Sequence, residues 1–359
     1  MFSTALCVVV CHGGPADHLA TFIERLPQVQ VEVYASGPAL SAMQKHNVEV
    51  NHPFVIEGDE ELLAEGIAKA CSFASMVITD VGDQFDEKIQ RAFARCAEHV
   101  KRFAYYDNPE SYVPGGYADI AARVMDLAHV VLFANARLAV KDKDIGIGYY
   151  PLNQADILAE RKKREQAYLR AAILQETLDQ SQKILVYFGG NNDTYFTKAF
   201  PAFLSLIEEG MTCMDLTNSV IVLQQHPGAK QSGRDAQLLQ TWKKEHQDDL
   251  RAPFVMISTL TSEEALIAAD AALYYQTSMG PQFVLSGTPT IQIGHERYED
   301  LLVKHEIVPS VTHVRALKEA LSHLENPHDS MIRVEIERGL GVCDDWLDRL
   351  QEALEVAVQ

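Results

Sequence analysis

The sequence AALYYQTSMGPQFVLSGTPTIQI, from Ala271 to Ile293, contains the unit from which the rest of the chain is built. An apolar run from Ala271 to Tyr275 predicts a buried strand, and a second run that begins at Thr290 predicts the next one. Between them lie a turn of small and hydroxyl-bearing residues, a short helix and Gly287. A strand, a turn, a helix and a second strand in this order are typical of a parallel α/β sheet.

The turn after the first of these strands has the features of an anion site. Thr277, Ser278, Met279 and Gly280 would offer two hydroxyls and several free backbone N–H groups. The positive end of the following helix dipole would point to the same place, which suits a diphosphate. The alternative is that any strand–turn–helix of an α/β protein has this local pattern.

The composition is that of a globular protein with a strong negative charge. At 359 residues the chain is long enough for two domains, and its 47% hydrophobic and 23% charged residues argue against disorder. The formal net charge of −19 argues against nucleic acid or an anionic membrane surface as the main partner. An anionic small molecule is still compatible with this charge, because nearby N–H groups and cations can outweigh a distant field.

Further features predict a cytoplasmic protein without a transmembrane segment. No apolar run approaches the roughly 18 residues of a membrane span. The first ten residues lack the basic start of a signal peptide and are expected to form the first strand. The six cysteines are scattered without C-x-x-C spacing, so we expect reduced thiols and no zinc site.

Apolar runs alternate with helical patterns in both halves of the chain, which predicts two successive parallel sheets. The expected strands are 5–11, 29–35, 76–79, 103–106, 130–134, 183–188, 220–224, 254–257, 271–275 and 290–293. The predicted fold class is therefore α/β, with two Rossmann-like domains whose parallel sheets face a central cleft.

Four segments follow from this alternation. Residues 1–152 form an N-terminal Rossmann-like domain, and residues 153–182 form a charged helical connection. Residues 183–335 form a second Rossmann-like domain, and residues 336–359 end the chain in a helix. The charge run within 153–182 is expected to be a solvated helix face.

Ligands of open parallel sheets bind at the carboxyl ends of the strands, so the loops there hold the candidate site residues. After the first strand, His12, Gly13, Gly14, Asp17 and His18 combine flexible backbone with groups capable of acid–base chemistry. The G-x-G-x-x-G signature is missing, which argues against a nicotinamide or flavin cofactor. The competing interpretation is that the glycines only form the turn and Asp17 only stabilises the start of the helix.

Two further loops of the first half hold carboxylates. Asp80 and Asp83 follow the third strand, although helix capping would explain one of them. Asp107, Asn108 and Glu110 begin a polar, glycine-rich loop that extends to residue 117. Loops of this kind on a rigid scaffold often contact a substrate, while the alternative is a bulky turn.

The second half repeats the pattern. Gly189, Gly190 and Asn191 follow its first strand and can bring bare backbone N–H groups to a ligand. His226 follows the second strand, and Lys230 lies four residues further on. A lone histidine is more often a hydrogen-bonded structural residue, but its position at a strand end favours a functional interpretation.

These strand ends resemble the GT-B fold, which many nucleotide-sugar glycosyltransferases share with the UDP-N-acetylglucosamine 2-epimerases. The similarity covers nearly the whole chain. Its strongest match runs from Thr277 through Gly280 to Gly287-Thr288-Pro289, which is similar to the donor-binding turn, helix and Gly-x-Pro of that family.

The resemblance implies a role for each donor-side residue. Ser278, Met279 and Gly280 would hold the donor diphosphate, and residues 189–191 would be the glycine loop of the donor domain. Gln282 stands where many members have a glutamate that binds the ribose hydroxyls, and its carbonyl can accept one hydrogen bond without charge. The arginine that often pairs with the diphosphate is missing, so Lys230 would supply that charge.

The same resemblance implies a metal-independent glycosyltransferase with a nucleotide-sugar, expected to be UDP-linked, as co-substrate and no cofactor. No Asp-x-Asp follows a strand; Asp142-Lys143-Asp144 falls in a charged, exposed stretch. The N-terminal domain would bind an unidentified acceptor, and the second domain the donor. The acceptor-side residues would be Gly13, Gly14, Asp107, Asn108 and Glu110, and the candidate bases for the acceptor hydroxyl would be His12, Asp17, His18 and Asp83.

Two alternatives stay open at this point. A 2-epimerase would use carboxylates of the first domain, Asp80 or Asp83 and Glu110, together with His226 to eliminate and re-add the nucleotide. A GT-B-like protein that binds without catalysis would explain Gln282 and the missing arginine. The sequence decides neither the donor sugar nor the oligomeric state.

Overall fold

The computed structural model describes residues 5–26, 29–110, 116–148, 152–175, 179, 181–322, 334, 337–339 and 341–358. The chain divides into two compact units. Unit 1 consists of Met1–Tyr150 and Leu340–Gln359, and unit 2 of Pro151–Gly339. Each unit contains its own sheet.

All strand pairs in the sheet of unit 1 are parallel. Its strands are β1 (Ala5–Val10), β2 (Gln30–Ala35), β3 (His52–Pro53), β4 (Met76–Thr79), β5 (Lys101–Tyr106), β6 (Val130–Phe133) and β7 (Asp144–Gly146). Their order in space is β3-β2-β1-β4-β5-β6-β7. The direction of strand progression therefore reverses between β1 and β4, which is where open α/β sheets bind ligands.

Helices cover both faces of this sheet. They are α1 (Gly13–Arg25), α2 (Pro38–Lys45), α3 (Glu60–Ala70), α4 (Gln84–Cys96) and α5 (Gly116–Leu127). All six residues of β1 are buried, because alternate side chains point to opposite faces and each face is covered. Leu6, Val8 and Val10 belong to one core cluster, and Cys7 and Val9 to the other.

Unit 2 repeats the arrangement with six strands. They are β8 (Lys183–Phe188), β9 (Ser219–Gln224), β10 (Phe254–Ile257), β11 (Ala271–Tyr274), β12 (Thr290–Ile293) and β13 (Ser310–Val311). All pairs are parallel, and the order β10-β9-β8-β11-β12-β13 reverses between β8 and β11. The two sheets thus share one topology, and each places two strand-end loops side by side at its reversal point.

The helices of unit 2 are α6 (Leu152–Leu174), α7 (Phe200–Cys213), α8 (Pro227–Ser232), α9 (Arg234–Glu245), α10 (Ser262–Ala268), α11 (Gly280–Leu285), α12 (Leu301–Lys304) and α13 (Val314–Ser322). A π-helical turn, Tyr195–Ala199, leads into α7. Aromatic side chains dominate the core on that side: Tyr187 of β8 stacks on Phe203 with ring centroids 4.1 Å apart.

The predicted fold class, α/β with two Rossmann-like domains, is confirmed. All ten predicted strands are present, with ends shifted by at most two residues. The sequence reading omitted β3, β7 and β13, which have two or three residues each. Edge strands of two or three residues are too short to show the alternation of apolar and polar residues by which a strand is recognised in a sequence.

The charged segment 153–182 was predicted as a connection, and its helix α6 is part of unit 2. Arg161 pairs with Glu263 at 2.9 Å, and Lys162 donates to the hydroxyl of Thr288 at 2.9 Å. Part of the charge run therefore makes contacts within unit 2 instead of only facing solvent. The predicted boundary at residues 335 and 336 lies outside the described residues.

The last helix, α14 (Trp346–Val358), belongs to unit 1, although the chain reaches it after unit 2. Leu350, Ala353 and Leu354 are buried in the same core cluster as β1, and Trp346 lies 5.6 Å from Phe22 of α1 between ring centroids. None of the helices in the described ranges is long and apolar enough to cross a membrane.

We predict that Leu350→Ala destabilises unit 1 by about 2–5 kcal/mol, because it leaves a cavity in a closely packed core. Urea unfolding followed by tryptophan fluorescence and circular dichroism would measure the loss. Leu62→Ala is the matched control, since that leucine is 66% exposed and its truncation should change the free energy of unfolding by less than about 0.5 kcal/mol. Equal effects of the two changes would contradict the packing of α14.

Candidate functional sites at the two strand reversals

In unit 1, the reversal point brings His12 and Asp80 together. His12 follows β1 and precedes α1, and Asp80 follows β4. Because Val9 and Thr79 are paired in the parallel ladder, the residues after them emerge side by side. Nδ1 of His12 lies 2.8 Å from Oδ2 of Asp80. The backbone N–H groups of Cys11 and His12 donate to the same oxygen, at 3.3 and 3.1 Å.

The imidazole of His12 is fixed on one side and accessible on the other. A Cβ atom at Gly82 would lie 2.5 Å from Cε1 of His12, so the ring can occupy this place only against a glycine. Nε2 lies 3.6 Å from Oδ2 of Asp83. The His12 side chain is 37% exposed, whereas that of Asp80 is 0% exposed. Nδ1 is thus held by a buried carboxylate while Nε2 faces the accessible side.

Carboxyl groups set the electrostatics of this cluster. The hydrogen bond to Asp80 raises the pKa of His12 above 6.5, against an opposing effect of burial. Burial would raise the pKa of Asp80, but hydrogen bonds from Asp86 and His12 hold it below its usual value. Burial and then the charge of Asp80 raise the pKa of Asp107 to about 7. Asp107 therefore changes protonation near neutral pH, and His12 keeps its proton to a higher pH than an ordinary histidine.

The predicted acceptor-side residues lie around the same strand ends. A Cβ atom at Gly14 would lie 2.8 Å from Oδ2 of Asp107, so α1 begins in close contact with that carboxyl. Asn108 accepts a hydrogen bond from the backbone N–H of Glu110 at 3.1 Å, which forms a local turn. Gly13 lies beside α2, with its nearest non-local atom in Pro38. The loop continues through residues 111–115, which lie outside the described residues.

The four predicted bases occupy three different environments. His12 and Asp83 share the cluster, where Asp83 also caps α4 by accepting from the N–H groups of Phe85 and Asp86. His18 is buried and its Nδ1 lies 2.8 Å from the hydroxyl of Tyr105. Burial lowers the pKa of His18 to about 4, so it is a neutral core residue at pH 7.

Asp17, the fourth predicted base, faces α2. Its Oδ1 lies 2.9 Å from Nε2 of His46 and 3.4 Å from Nζ of Lys45. The sequence analysis gave Asp80 a catalytic role only in the epimerase alternative, and it assigned no role to Gly82 or Asp86. The adjacency of β1 and β4 in the sheet was the missing information, because it decides which strand-end loops meet.

Among the described residues, His12, Asp80 and Asp86 have a spacing that would admit a metal ion, since one ligand atom of each lies within 4.8 Å of the others. Nδ1 of His12 and Oδ2 of Asp80 are, however, joined to each other by a hydrogen bond of 2.8 Å. A cation bound by both atoms would have to replace that shared proton. The observed geometry is that of a proton-sharing network.

In unit 2, the reversal point joins the loops after β8 and β11. Nδ2 of Asn192 donates to Oε1 of Gln276 at 2.8 Å, which links the two loops directly. The glycines before Asn192 have a packing role: a Cβ at Gly189 would lie 2.7 Å from the Tyr195 hydroxyl, and one at Gly190 would lie 2.9 Å from its ring. Asn191 is exposed at the tip of the loop.

The turn after β11 leads into a short helix as predicted, but the backbone N–H groups of Met279 and Gly280, expected to be free, are engaged with Thr277, that of Gly280 with its carbonyl at 3.5 Å. The N–H of Met279 donates to the hydroxyl of Thr277 at 3.2 Å, and Ser278 is exposed. Gly280 is buried against Leu302, which a Cβ atom would approach to 3.0 Å. Helix α11 has six residues, so its dipole adds little and an anion here would depend on hydroxyl and N–H groups. Gln282 is half-buried on its first turn.

His226 and Lys230 lie at the end of β9, on the far side of β8 from β11. Two strand spacings, about 10 Å, therefore separate this loop from the Ser278 turn. Partial burial lowers the pKa of His226 below its ordinary value of 6.5, so its ring is neutral at pH 7. Lys230 is exposed, and its long side chain provides a mobile positive charge at the carboxyl edge of the sheet.

No protein-family model and no curated protein sequence matches the chain. Its structure is similar to the UDP-GlcNAc 2-epimerase from Neisseria meningitidis bound to UDP-GlcNAc, with a TM-score of 0.67, 9% identity and 98% and 100% of the two chains covered. It is also similar to the UDP-GlcNAc 2-epimerase from Methanocaldococcus jannaschii in complex with UDP-GlcNAc and UDP, with a TM-score of 0.62 and 12% identity; 93% of this chain and 98% of that chain are covered. A glycosyltransferase from Rickettsia africae ESF-5 is similar with a TM-score of 0.66 and 8% identity, and both chains are covered to 100%.

At these identities the similarity establishes the fold. The two-domain fold expected from the strand-end loops is shared by these solved structures, which match nearly the full length of the chain. The reaction does not follow from the fold, because one fold hosts many activities.

We predict that His18 makes the protein less stable in mild acid. Its pKa is about 4 when folded and 6.5 ordinarily, so the unfolded chain binds a proton in this range that the folded chain does not. Stability should fall as the pH decreases from 6.5 towards 4, by on the order of 3 kcal/mol from this group. His18→Gln should flatten the pH dependence of urea unfolding there, whereas the exposed His99→Gln should not. Parallel curves for wild type and His18→Gln would contradict the assignment.

Proposed function

We propose that the protein is a metal-independent, nucleotide-sugar-dependent glycosyltransferase in which unit 1 binds the acceptor and unit 2 the donor. The observation that carries the proposal is the pair of His12 and Asp80 at the strand reversal of unit 1. An imidazole with one nitrogen held by a buried carboxylate and the other accessible is suited to removing a proton from a hydroxyl. The solved structures with UDP-sugar ligands among the similar folds support a nucleotide-sugar as co-substrate.

The proposed reaction is a single displacement. Nε2 of His12 accepts the proton of the acceptor hydroxyl while its oxygen forms a bond to the anomeric carbon of the sugar. The bond between that carbon and the diphosphate breaks, and the nucleoside diphosphate leaves with the electron pair. Asp80 keeps the proton on Nδ1 in the neutral tautomer and then stabilises the imidazolium, as in other histidine–carboxylate pairs. Such a displacement inverts the anomeric carbon.

The donor site would be at the strand reversal of unit 2. Ser278 and the backbone of Met279 and Gly280 would hold the diphosphate. Lys230 would extend its side chain from the loop after β9, two strands away, to add positive charge. Gln282 would accept one hydrogen bond from the ribose. An exposed hydroxyl and an exposed lysine at the carboxyl edge of one sheet are compatible with this role.

We predict that catalysis requires the neutral form of His12, so kcat/KM rises with pH through the pKa of that residue. Asp80→Asn removes the interaction that raises this pKa, so the acid limb of the profile should move to lower pH while the plateau falls. His12→Gln should lower the rate by about 10²–10⁴-fold. Release of nucleoside diphosphate from the donor is the assay, and Asp126→Asn at an exposed position is the control. An unchanged acid limb in Asp80→Asn would exclude His12 as the base.

We predict that a nucleoside diphosphate stabilises the protein. At 100 times its Kd, a ligand that binds only the folded state adds about 2.7 kcal/mol, which corresponds to a rise in Tm of roughly 5–10 °C. A thermal-shift screen of UDP, GDP, CMP and dTDP derivatives would identify which nucleotide the protein binds. Ser278→Ala and Lys230→Ala should each weaken binding about tenfold, the loss expected for one hydrogen bond to a charged group.

Lys183→Ala is the matched control for these binding variants. Lys183 is an exposed lysine at the first position of β8, and so lies at the opposite edge of the same sheet. It should leave nucleotide affinity unchanged. Retained affinity in both Ser278→Ala and Lys230→Ala would show that the diphosphate binds elsewhere. No response to any of the nucleotides would favour a binding protein without this catalysis.

The second candidate is a sugar-nucleotide 2-epimerase, and it is favoured by the names of several similar structures. Here carboxyls of unit 1, among them Asp80, and His226 of unit 2 would assist elimination and re-addition of UDP. Incubation with UDP-GlcNAc alone distinguishes the two reactions by NMR. Inversion at the second carbon of the sugar identifies an epimerase, whereas slow hydrolysis or an unchanged compound fits a transferase without its acceptor.

A further inference from the structure

Asp86 is a buried carboxyl of unit 1 for which the proposed reaction gives no role. It lies in the first turn of α4 and is 2% exposed. Its Oδ2 accepts the backbone N–H of Asp83 at 2.9 Å, which completes a capping box. Its carboxyl also comes within 4.8 Å of the polar atoms of His12 and Asp80. Capping explains one oxygen of Asp86 but not the burial of the whole group beside another acid.

The hydrogen bonds of Asp80 are unevenly distributed over its two oxygens. Oδ2 receives three N–H groups, from the backbone of Cys11 and from the backbone and ring of His12. Oδ1 is fully buried, and no N–H or hydroxyl of the described residues donates to it. A buried carboxylate oxygen without a donor is costly, so a missing donor has to be sought among the neighbouring groups.

Two carboxyls this close in a protein interior do not both ionise, and they share one proton. The distribution of donors decides which of them keeps it. Asp80 accepts three N–H groups and is stabilised as the carboxylate, whereas the described contacts of Asp86 with N–H groups amount to one. The proton therefore belongs to Asp86, which lies beside Asp80 and can donate it to the Asp80 oxygen that has no donor among the described residues.

We propose that Asp86 is a positioning residue: as a neutral carboxylic acid it donates its O–H to Oδ1 of Asp80 and so completes the set of donors that holds Asp80 against His12. The result is a chain of hydrogen bonds from Asp86 through Asp80 to Nδ1 of His12. The proposed function enters only in giving His12 the role of a base; the chain of hydrogen bonds does not depend on it.

The surrounding groups act in the same direction. Burial and then the charge of Asp80 raise the pKa of Asp86 well above its usual value, and Asp83 on the same helix adds to the effect. The hydrogen bond from Asp86 in turn lowers the pKa of Asp80. Two neighbouring loops also face the pair of Asp80 and Asp86. Cys11 and His12 lie in the loop after β1, and Asp107, which faces Asp80, lies in the loop after β5.

The test is the titration midpoint of His12, measured by NMR in the ligand-free protein, with His12→Gln to assign the signal. In Asp86→Asn the amide donates the same hydrogen bond without charge, so the midpoint should stay within about 0.3 pH unit of wild type. In Asp86→Leu the charge of Asp80 has one donor fewer and attracts the imidazolium more strongly, so the midpoint should rise by about half a unit. Asp80→Asn should lower it.

Two results would overturn the inference. A midpoint in Asp86→Asn that falls as it does in Asp80→Asn would mean that Asp86 is ionised. A midpoint in Asp86→Leu equal to that of wild type would mean that Asp86 gives Asp80 no hydrogen bond. Because these titrations need neither substrate nor turnover, they stand or fall separately from the glycosyltransferase proposal.

A second measurement covers the case in which Asp86→Leu does not fold. The raised pKa of Asp86 stabilises the folded state fully below the ordinary pKa of an aspartate, and this is lost as the pH rises through the folded value. Wild type should therefore lose stability relative to Asp86→Asn as the pH increases. The control is Glu87→Gln on the same helix: Arg123 lowers the pKa of Glu87, so here wild type should gain relative to the variant. Parallel curves for wild type and Asp86→Asn would overturn the inference.

Discussion

The burial of the Asp80 carboxylate under three N–H groups is the interaction on which the site of unit 1 depends. Two of the three donors are backbone groups at the end of β1, so the carboxylate fixes the first loop to the end of β4 as well as orienting an imidazole. Gly82 leaves the space in which that imidazole lies. A change at any of these positions would alter the direction of Nε2 of His12, and with it the chemistry available there.

Unit 2 has the same strand order but uses its reversal point differently. The ring of Tyr195 fills the space beside the glycines after β8, and its hydroxyl donates to the buried Asp235 at 3.2 Å. A glycine loop that looks like a phosphate cradle in the sequence is thus shaped by packing against its own domain. The accessible polar groups lie instead on the turn at Ser278. Unit 1 thus holds the histidine–carboxylate pair, and unit 2 holds the open polar turn.

The sequence was sufficient for the fold and for the loops at the strand ends, but not for the contacts between those loops. Alternating apolar runs predicted both sheets, because buried parallel strands need continuous apolar sequence. Strand-end loops such as the one at His12 were predictable for the same reason. His12 and Asp80 are 68 positions apart in sequence, and they meet because β1 and β4 are neighbours in the sheet. A single sequence does not show which strands are neighbours. The core position of His18, likewise, depends on which face of α1 meets Tyr105.

The placement of α14 has a consequence for biosynthesis. The apolar surface that Leu350, Ala353 and Leu354 cover in unit 1 belongs to strands and helices made long before them. Domains usually fold as units while the chain emerges from the ribosome, so unit 2 can complete its core first, while unit 1 waits with an uncovered apolar face until translation of α14 is finished. Nascent chains halted before residue 346 should therefore depend on chaperones more than the finished protein does.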